Sequence, residues 1–251
     1  MLWYKAWRES RARFLLLVLF VIAFWLYWIF LWRHQWAHLS KEHVTLATIG
    51  YASVFPVQRL AILYLVVLVP LLSMGGLLRE GGHGTARLSL SIPVSRLRQL
   101  GVRAAVGVME MALLATLPAV LVPAFLPFVH GAHPLPVALH FILLWIVCGA
   151  PVLALGFLCS TILTGEYTPL IASVMAALSY VYFTTPPFFR PYGPKFSLFR
   201  IMMGMNVEDL PFDKRLNGLP EPFPWITLLA IAVVALALFA ASVQATTQRD
   251  F

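Results

Sequence analysis

The chain has 251 residues, of which 61% are hydrophobic and 11% charged, with a formal net charge of +8 and a mean hydropathy of +0.85. So little polar surface excludes a water-soluble domain, and the excess of Lys and Arg suits anionic lipid headgroups better than nucleic acid. Apolar runs of about 20 residues recur, the length an α-helix needs to cross ~30 Å of hydrocarbon, and the short alternating segments of a β-barrel are missing. The expected fold is therefore an all-α integral membrane protein: one domain, 1–251, with six spans and an amphipathic interfacial helix at the N-terminus. The basic start runs into an apolar stretch too long for a cleavable signal peptide, and no small-residue cleavage site follows it.

Residues 1–13 place Trp3, Trp7 and Phe14 on one helical face and Lys5, Arg8 and Glu9 opposite. That pattern suits a helix lying in the headgroup plane, or a basic flank that anchors the first span. The first span is expected at 14–32, with Trp25, Tyr27, Trp28, Trp32 and Trp36 as an interface belt at its far end. The second is expected at 56–78, with Pro70 inside it. The third, 101–127, carries Pro118, Pro123 and Pro127, which predict a kink or break in its second half. The fourth covers 137–163 and contains Pro151. Thr164-Gly165-Glu166 make a tight turn into the fifth, 167–184. A Pro-, Phe- and charge-rich outer segment, 185–223, precedes the sixth span, 225–243. Within that segment Phe196, Phe199 and Met203 mark one face of a short helix.

Lys and Arg counts set the orientation. The N-terminus carries four and the 79–103 segment five, against two in 33–55 and none in 128–136. Both termini are therefore expected in the cytoplasm. The outer segment carries five basic residues, but Glu208, Asp209, Asp213 and Glu221 accompany them. Small residues four apart (Gly156/Ser160, Ala172/Ala176, Ser173/Ala177, Ala237/Ala241) predict close helix contacts. Cys148 and Cys159 share one span but lie roughly 16 Å apart along a helix, too far for a disulfide.

The most informative stretch is 79–103, with Arg79, Arg87, Arg96, Arg98 and Arg103 against the single acid Glu80. Gly81, Gly82 and Gly84 end the preceding helix, and Pro93 and Ser95 suit the start of the next, one pre-setting φ and the other capping free N–H groups. Its order resembles the cytoplasmic loop of ABC-2 type transporter permeases. There an acid and a Gly-Thr precede a leucine-rich turn, followed by a Pro-Val-Ser-Arg-like step into the third span. Here those positions are Glu80, Gly84-Thr85, Leu88, Leu90 and Pro93-Val94-Ser95-Arg96. Gly81-Gly82-His83 and Arg103 depart from that pattern, where a more charged run and a lysine are usual.

The resemblance implies a permease subunit of a bacterial inner-membrane exporter. Its coupling loop, 79–100, would contact an ATP-binding cassette subunit through Glu80, Gly84, Thr85, Arg87, Pro93, Ser95 and Arg96. It also implies a second permease subunit, identical or related. The chain itself has no G-x-x-x-x-G-K-[ST] phosphate loop, so it is not expected to be an enzyme or to hold a cofactor, and ATP hydrolysis would fall to a partner. Glu110, about seven residues or roughly 10 Å into the third span, is a candidate for the translocation path, because an ionisable group at that depth is costly.

A different class would be a metal-dependent membrane enzyme built on His34, His38, His43, His130, His133 and His140. Only Glu42 stands near them as an acid, a poor first shell for iron or zinc, so no metal is expected. A non-transporting membrane anchor is the third reading.

Overall fold

The computed structural model describes residues 2–41, 55–73, 95–125, 135–163, 165, 167–184, 197–203 and 224–248. Every regular element among them is helical. They are α1 (Leu2–Lys41), α2 (Phe55–Leu63), a π-helical turn (Tyr64–Leu68), α3 (Val69–Ser73), α4 (Arg96–Phe125), α5 (Leu135–Ile162), α6 (Thr168–Thr184), α7 (Leu198–Met202) and α8 (Trp225–Gln248). Four stretches are long and apolar enough to cross a membrane: Leu2–Tyr27, Leu97–Pro118, Leu139–Ile162 and Trp225–Gln248. Arg59–Ser73 and Thr168–Thr184 are shorter apolar helices.

α5 organises the bundle. It is apolar on all sides, and a helix with no polar face is stable only when surrounded. Phe141, Leu144, Trp145, Cys148, Val152 and Phe157 are all buried, and α8, α4, α6 and α3 pack around it. Gly149 of α5 faces Met111 and Tyr64, while Gly107 of α4 faces Phe157. Those pairings make α4 antiparallel to α5, and the Tyr64 and Ser73 contacts at Gly149 and Gly156 make α2–α3 parallel to it. Gly165, at φ 121°, reverses the chain between α5 and α6, a backbone conformation that glycine adopts without strain. The Thr164-Gly165-Glu166 turn thus stands at its central residue.

Hydroxyl groups inside the spans bond back to their own helices. Ser73, Ser160, Ser173 and Ser242 donate to the carbonyls of Pro70, Phe157, Leu170 and Phe239 at 2.6–2.9 Å. This is how a polar side chain is satisfied where no water reaches it. One face of α8 carries exposed Ile226, Leu229, Val233 and Leu236, a surface suited to lipid.

Several expectations change. Residues 2–41 form one helix of 40 residues, so no break separates an interfacial helix 1–13 from a span starting at 14. Glu9-Ser10-Arg11-Ala12-Arg13 contains neither Gly nor Pro, and nothing there interrupts the hydrogen-bond ladder. α4 likewise continues through Pro118 and Pro123 to Phe125. The sequence irregularity appears instead before Pro70, where the Val69 N–H bonds to the Tyr64 carbonyl in π register. Proline lacks an N–H for the ladder, and a π turn next to it is a common way to re-register the chain.

Among the small-residue pairs, Ser160, Ser173 and Ala177 are buried, but Ala176, Ala237 and Ala241 are exposed. α8 buries Leu228, Ala235, Ser242 and Thr246 instead. Around α7, Leu198, Met202 and the expected Met203 are buried and Phe199 partly so, while Phe196 lies outside the described residues; the Leu198 N–H donates to the Tyr180 hydroxyl at 3.4 Å. Cys148 and Cys159 are both free thiols on α5.

Gly156 marks the tightest crossing. A methyl group there would overlap the Ser73 hydroxyl and touch Ser173, so three helices meet at this point because it has no side chain. Gly156→Leu should destabilise the protein by about 1–3 kcal/mol or more through overpacking. Thermal unfolding in detergent checks this; a midpoint equal to wild type would show that the crossing has slack.

Candidate functional site: a polar seam between α1 and α4

α1 and α4 run parallel. Leu2, Lys5 and Ala6 share one groove with Gln99, Val102 and Arg103. One to two turns further on, Ser10 and Arg13 line a cavity with Gly107 and Glu110. The two helices therefore start on the same side of the bundle. Leu72 and Phe157 close the cavity, which puts the end of α3 and the last turns of α5 on that side too.

Two ties bridge the seam. Glu9 accepts from Arg103, with Oε2 3.1 Å from Nη2, and its other oxygen is 3.8 Å from Lys5 Nζ one turn away. Arg103 is mostly covered, whereas Glu9 and Lys5 are about 40% exposed, so this tie is wet on one side. Deeper in, the Ser10 hydroxyl donates to Glu110 Oε1 at 2.5 Å, with the Trp7 carbonyl a weaker second acceptor at 3.3 Å. Glu110 is 1% exposed. The adjoining cavity of about 20 Å³ has room for one water.

α4 starts as its sequence predicts. Ser95 precedes the first helical residue, Arg96, and its hydroxyl accepts the Arg98 N–H at 3.4 Å, the bond an N-cap makes. Glu80, Gly84, Thr85, Arg87 and Pro93 lie outside the described residues. Of the histidines, His34 and His38 are on the far part of α1, and His140 is half-buried on α5. His43, His130 and His133 lie outside the described residues. Among the described residues no group of three His, Cys, Asp or Glu side chains is placed to hold a metal.

Ser10, and the pairing of Glu9 with Arg103, escaped the sequence reading. The available signal was chemical economy: a carboxyl group inside a span needs a donor, and the turn before the first apolar run offers Ser10, Arg11 and Arg13. What the sequence could not supply is that α1 and α4 are neighbours, separated as they are by α2–α3. No protein-family model, curated protein or solved structure matches the chain.

The seam can do two things chemically. It fixes the adjacent residues Glu9 and Ser10 of α1 to positions about 10 Å apart along α4, and it buries one ionisable group. Hydrogen bonds between membrane helices contribute about 0.6–1.7 kcal/mol. A double-mutant cycle of Ser10→Ala and Glu110→Gln, read by thermal unfolding in detergent, should give a coupling of about 1 kcal/mol. The partly exposed Glu9–Arg103 pair should give about 0–1 kcal/mol. Additive effects of Ser10→Ala and Glu110→Gln would remove the deep tie.

Proposed function

We propose that this chain is a membrane-spanning permease subunit of an ABC-2-like transporter, an exporter of a bacterial inner membrane with both termini cytoplasmic. It would have six spans, counting the segments that end in Ser73 and Thr184, with the amphipathic start of α1 at headgroup level. A separate ATP-binding cassette subunit would supply the energy, and a second permease copy or relative would complete the pathway.

The observation that carries the reading is the continuity between the loop and the α1–α4 seam. The Pro93-Val94-Ser95-Arg96 step leads directly into α4, a rod of 30 residues whose first turn is capped by Ser95. A force on the loop would enter α4 at this end. The Glu9–Arg103 and Ser10–Glu110 ties would carry α1 with it, because they join one turn of α1 to two turns of α4. The π turn before Pro70 and Pro151 in α5 give neighbouring helices points at which to bend. In this mechanism Glu110 acts as a fastener between moving helices, at the inner edge of the route.

The histidine-based enzyme gains no support from the described residues, and no observation favours a passive anchor. In the test, Glu80 and Arg96 are both replaced by alanine in the complex purified from its host. Removing charges paired across a protein interface costs several kcal/mol, so ATPase stimulation should fall severalfold while insertion persists. The other loop arginines and the N-terminus would still hold the orientation. Absence of any ATP-binding subunit from the native complex would overturn the proposal. A partner that binds without stimulated ATPase activity would identify an anchor instead.

A further inference from the structure

The Ser10 hydroxyl stands between two acceptors: Glu110 Oε1 at 2.5 Å and the Trp7 carbonyl of its own helix at 3.3 Å. A hydroxyl has one hydrogen to give and lone pairs that can receive another. With Glu110 ionised, the Ser10 hydrogen goes to Oε1. With Glu110 protonated, the acid donates to Ser10 Oγ and the Ser10 hydrogen turns to the Trp7 carbonyl. Rotation about one C–O bond therefore satisfies either state, and no helix has to move. A group that only donates, such as a backbone N–H or a guanidinium, could not reverse in this way.

The cavity beside Glu110 has room for one water. Its walls bring together two carboxyl groups, Glu9 and Glu110, and two guanidinium groups, Arg13 and Arg103, while α3 and α5 close it with the apolar Leu72 and Phe157. The Glu9 side chain is 39% exposed, so a water in the cavity stands between the buried carboxyl and one that solvent reaches. The geometry points to Glu110 as a reversible proton-binding site, served by that water and Glu9, with the Ser10 hydroxyl as the partner that accommodates both states. The water passes a proton to a Glu110 oxygen and takes up another from the solvent side, so nothing else is consumed. Opposing influences act on the site: the guanidinium of Arg13 favours the carboxylate, and the apolar walls favour the neutral acid. Protonation turns the Ser10–Glu110 bond from charge-assisted to neutral, roughly half as strong. It leaves the Glu9–Arg103 pair ionised, so the deep tie loosens while the outer one holds. This site needs no ATP-binding partner, and its failure would leave the permease reading untouched.

Infrared difference spectroscopy of the full chain in detergent, taken between alkaline and acidic buffer, tests it. The carbonyl stretch of a protonated carboxylic acid should appear on acidification, disappear on return to alkaline buffer, and be missing from Glu110→Gln. In heavy water the band should shift within the time of buffer exchange, with the chain still folded. Ser10→Ala should move the band to higher frequency, because the acid loses the oxygen it donates to, and Ser10→Thr should restore it. If Glu110→Gln does not fold, the band that responds to Ser10→Ala identifies Glu110 without it. Four results would each overturn the inference: no Glu110 band before acid unfolding, a band unchanged from acid to alkaline buffer, a heavy-water shift seen only on unfolding, or a band indifferent to Ser10→Ala.

Discussion

A carboxyl group between two membrane helices must find a donor, because hydrocarbon offers none and bulk water does not reach it. Glu110 meets that requirement through Ser10, which stands 100 residues earlier in the sequence. This contact fixes which face of α4 meets α1, and with Glu9–Arg103 it fixes the relative height of the two rods. The parallel arrangement then follows, and so does the placing of the chain's first turns beside the exit of its basic loop. Together the two ties make a two-helix unit whose cytoplasmic-side end, in the proposed orientation, is the part exposed to a partner.

The remaining segments give that unit something to move against. α5 is the fixed centre, and the Gly156 crossing locks α3 and α6 to it at the same end of the bundle. Consecutive segments from α1 to α6 alternate in direction, so the π turn, Pro70 and Pro151 fall in helices flanking the α1–α4 pair and not within it.

Much of this was legible in the sequence because membrane insertion is governed by length and hydropathy, both local properties. The helical class, four of the six expected spans, the Ser95 cap, the Gly165 turn and the free cysteines on one helix all follow from short windows. The failures have physical reasons as well. An interfacial helix was expected to end near Arg13, but amphipathicity reports environment and not where a helix stops, and no residue there breaks the ladder. Pro118, Pro123 and Pro127 suggested a kink or break in α4; the helix runs unbroken through the first two, as packed membrane helices permit, and Pro127 lies outside the described residues. Ala237 and Ala241 had the spacing of a contact face, but α8 turns Ala235 and Ser242 inward instead, because the choice of face depends on the neighbour's shape. Likewise Glu110 stood out as unusual, whereas its partner could be identified only once the helices were assembled.

The parallel pairing of α1 and α4 is open to direct measurement by electron spin resonance between nitroxide labels at Arg8→Cys and Arg98→Cys, with Cys148 and Cys159 replaced by alanine. Both positions are exposed and close to the seam. Helices that start on the same side put the labels within about 30 Å of each other, two label arms included. An antiparallel pair would separate them by the thickness of the bilayer, on the order of 40 Å or more, and that distance would contradict the seam on which the rest depends.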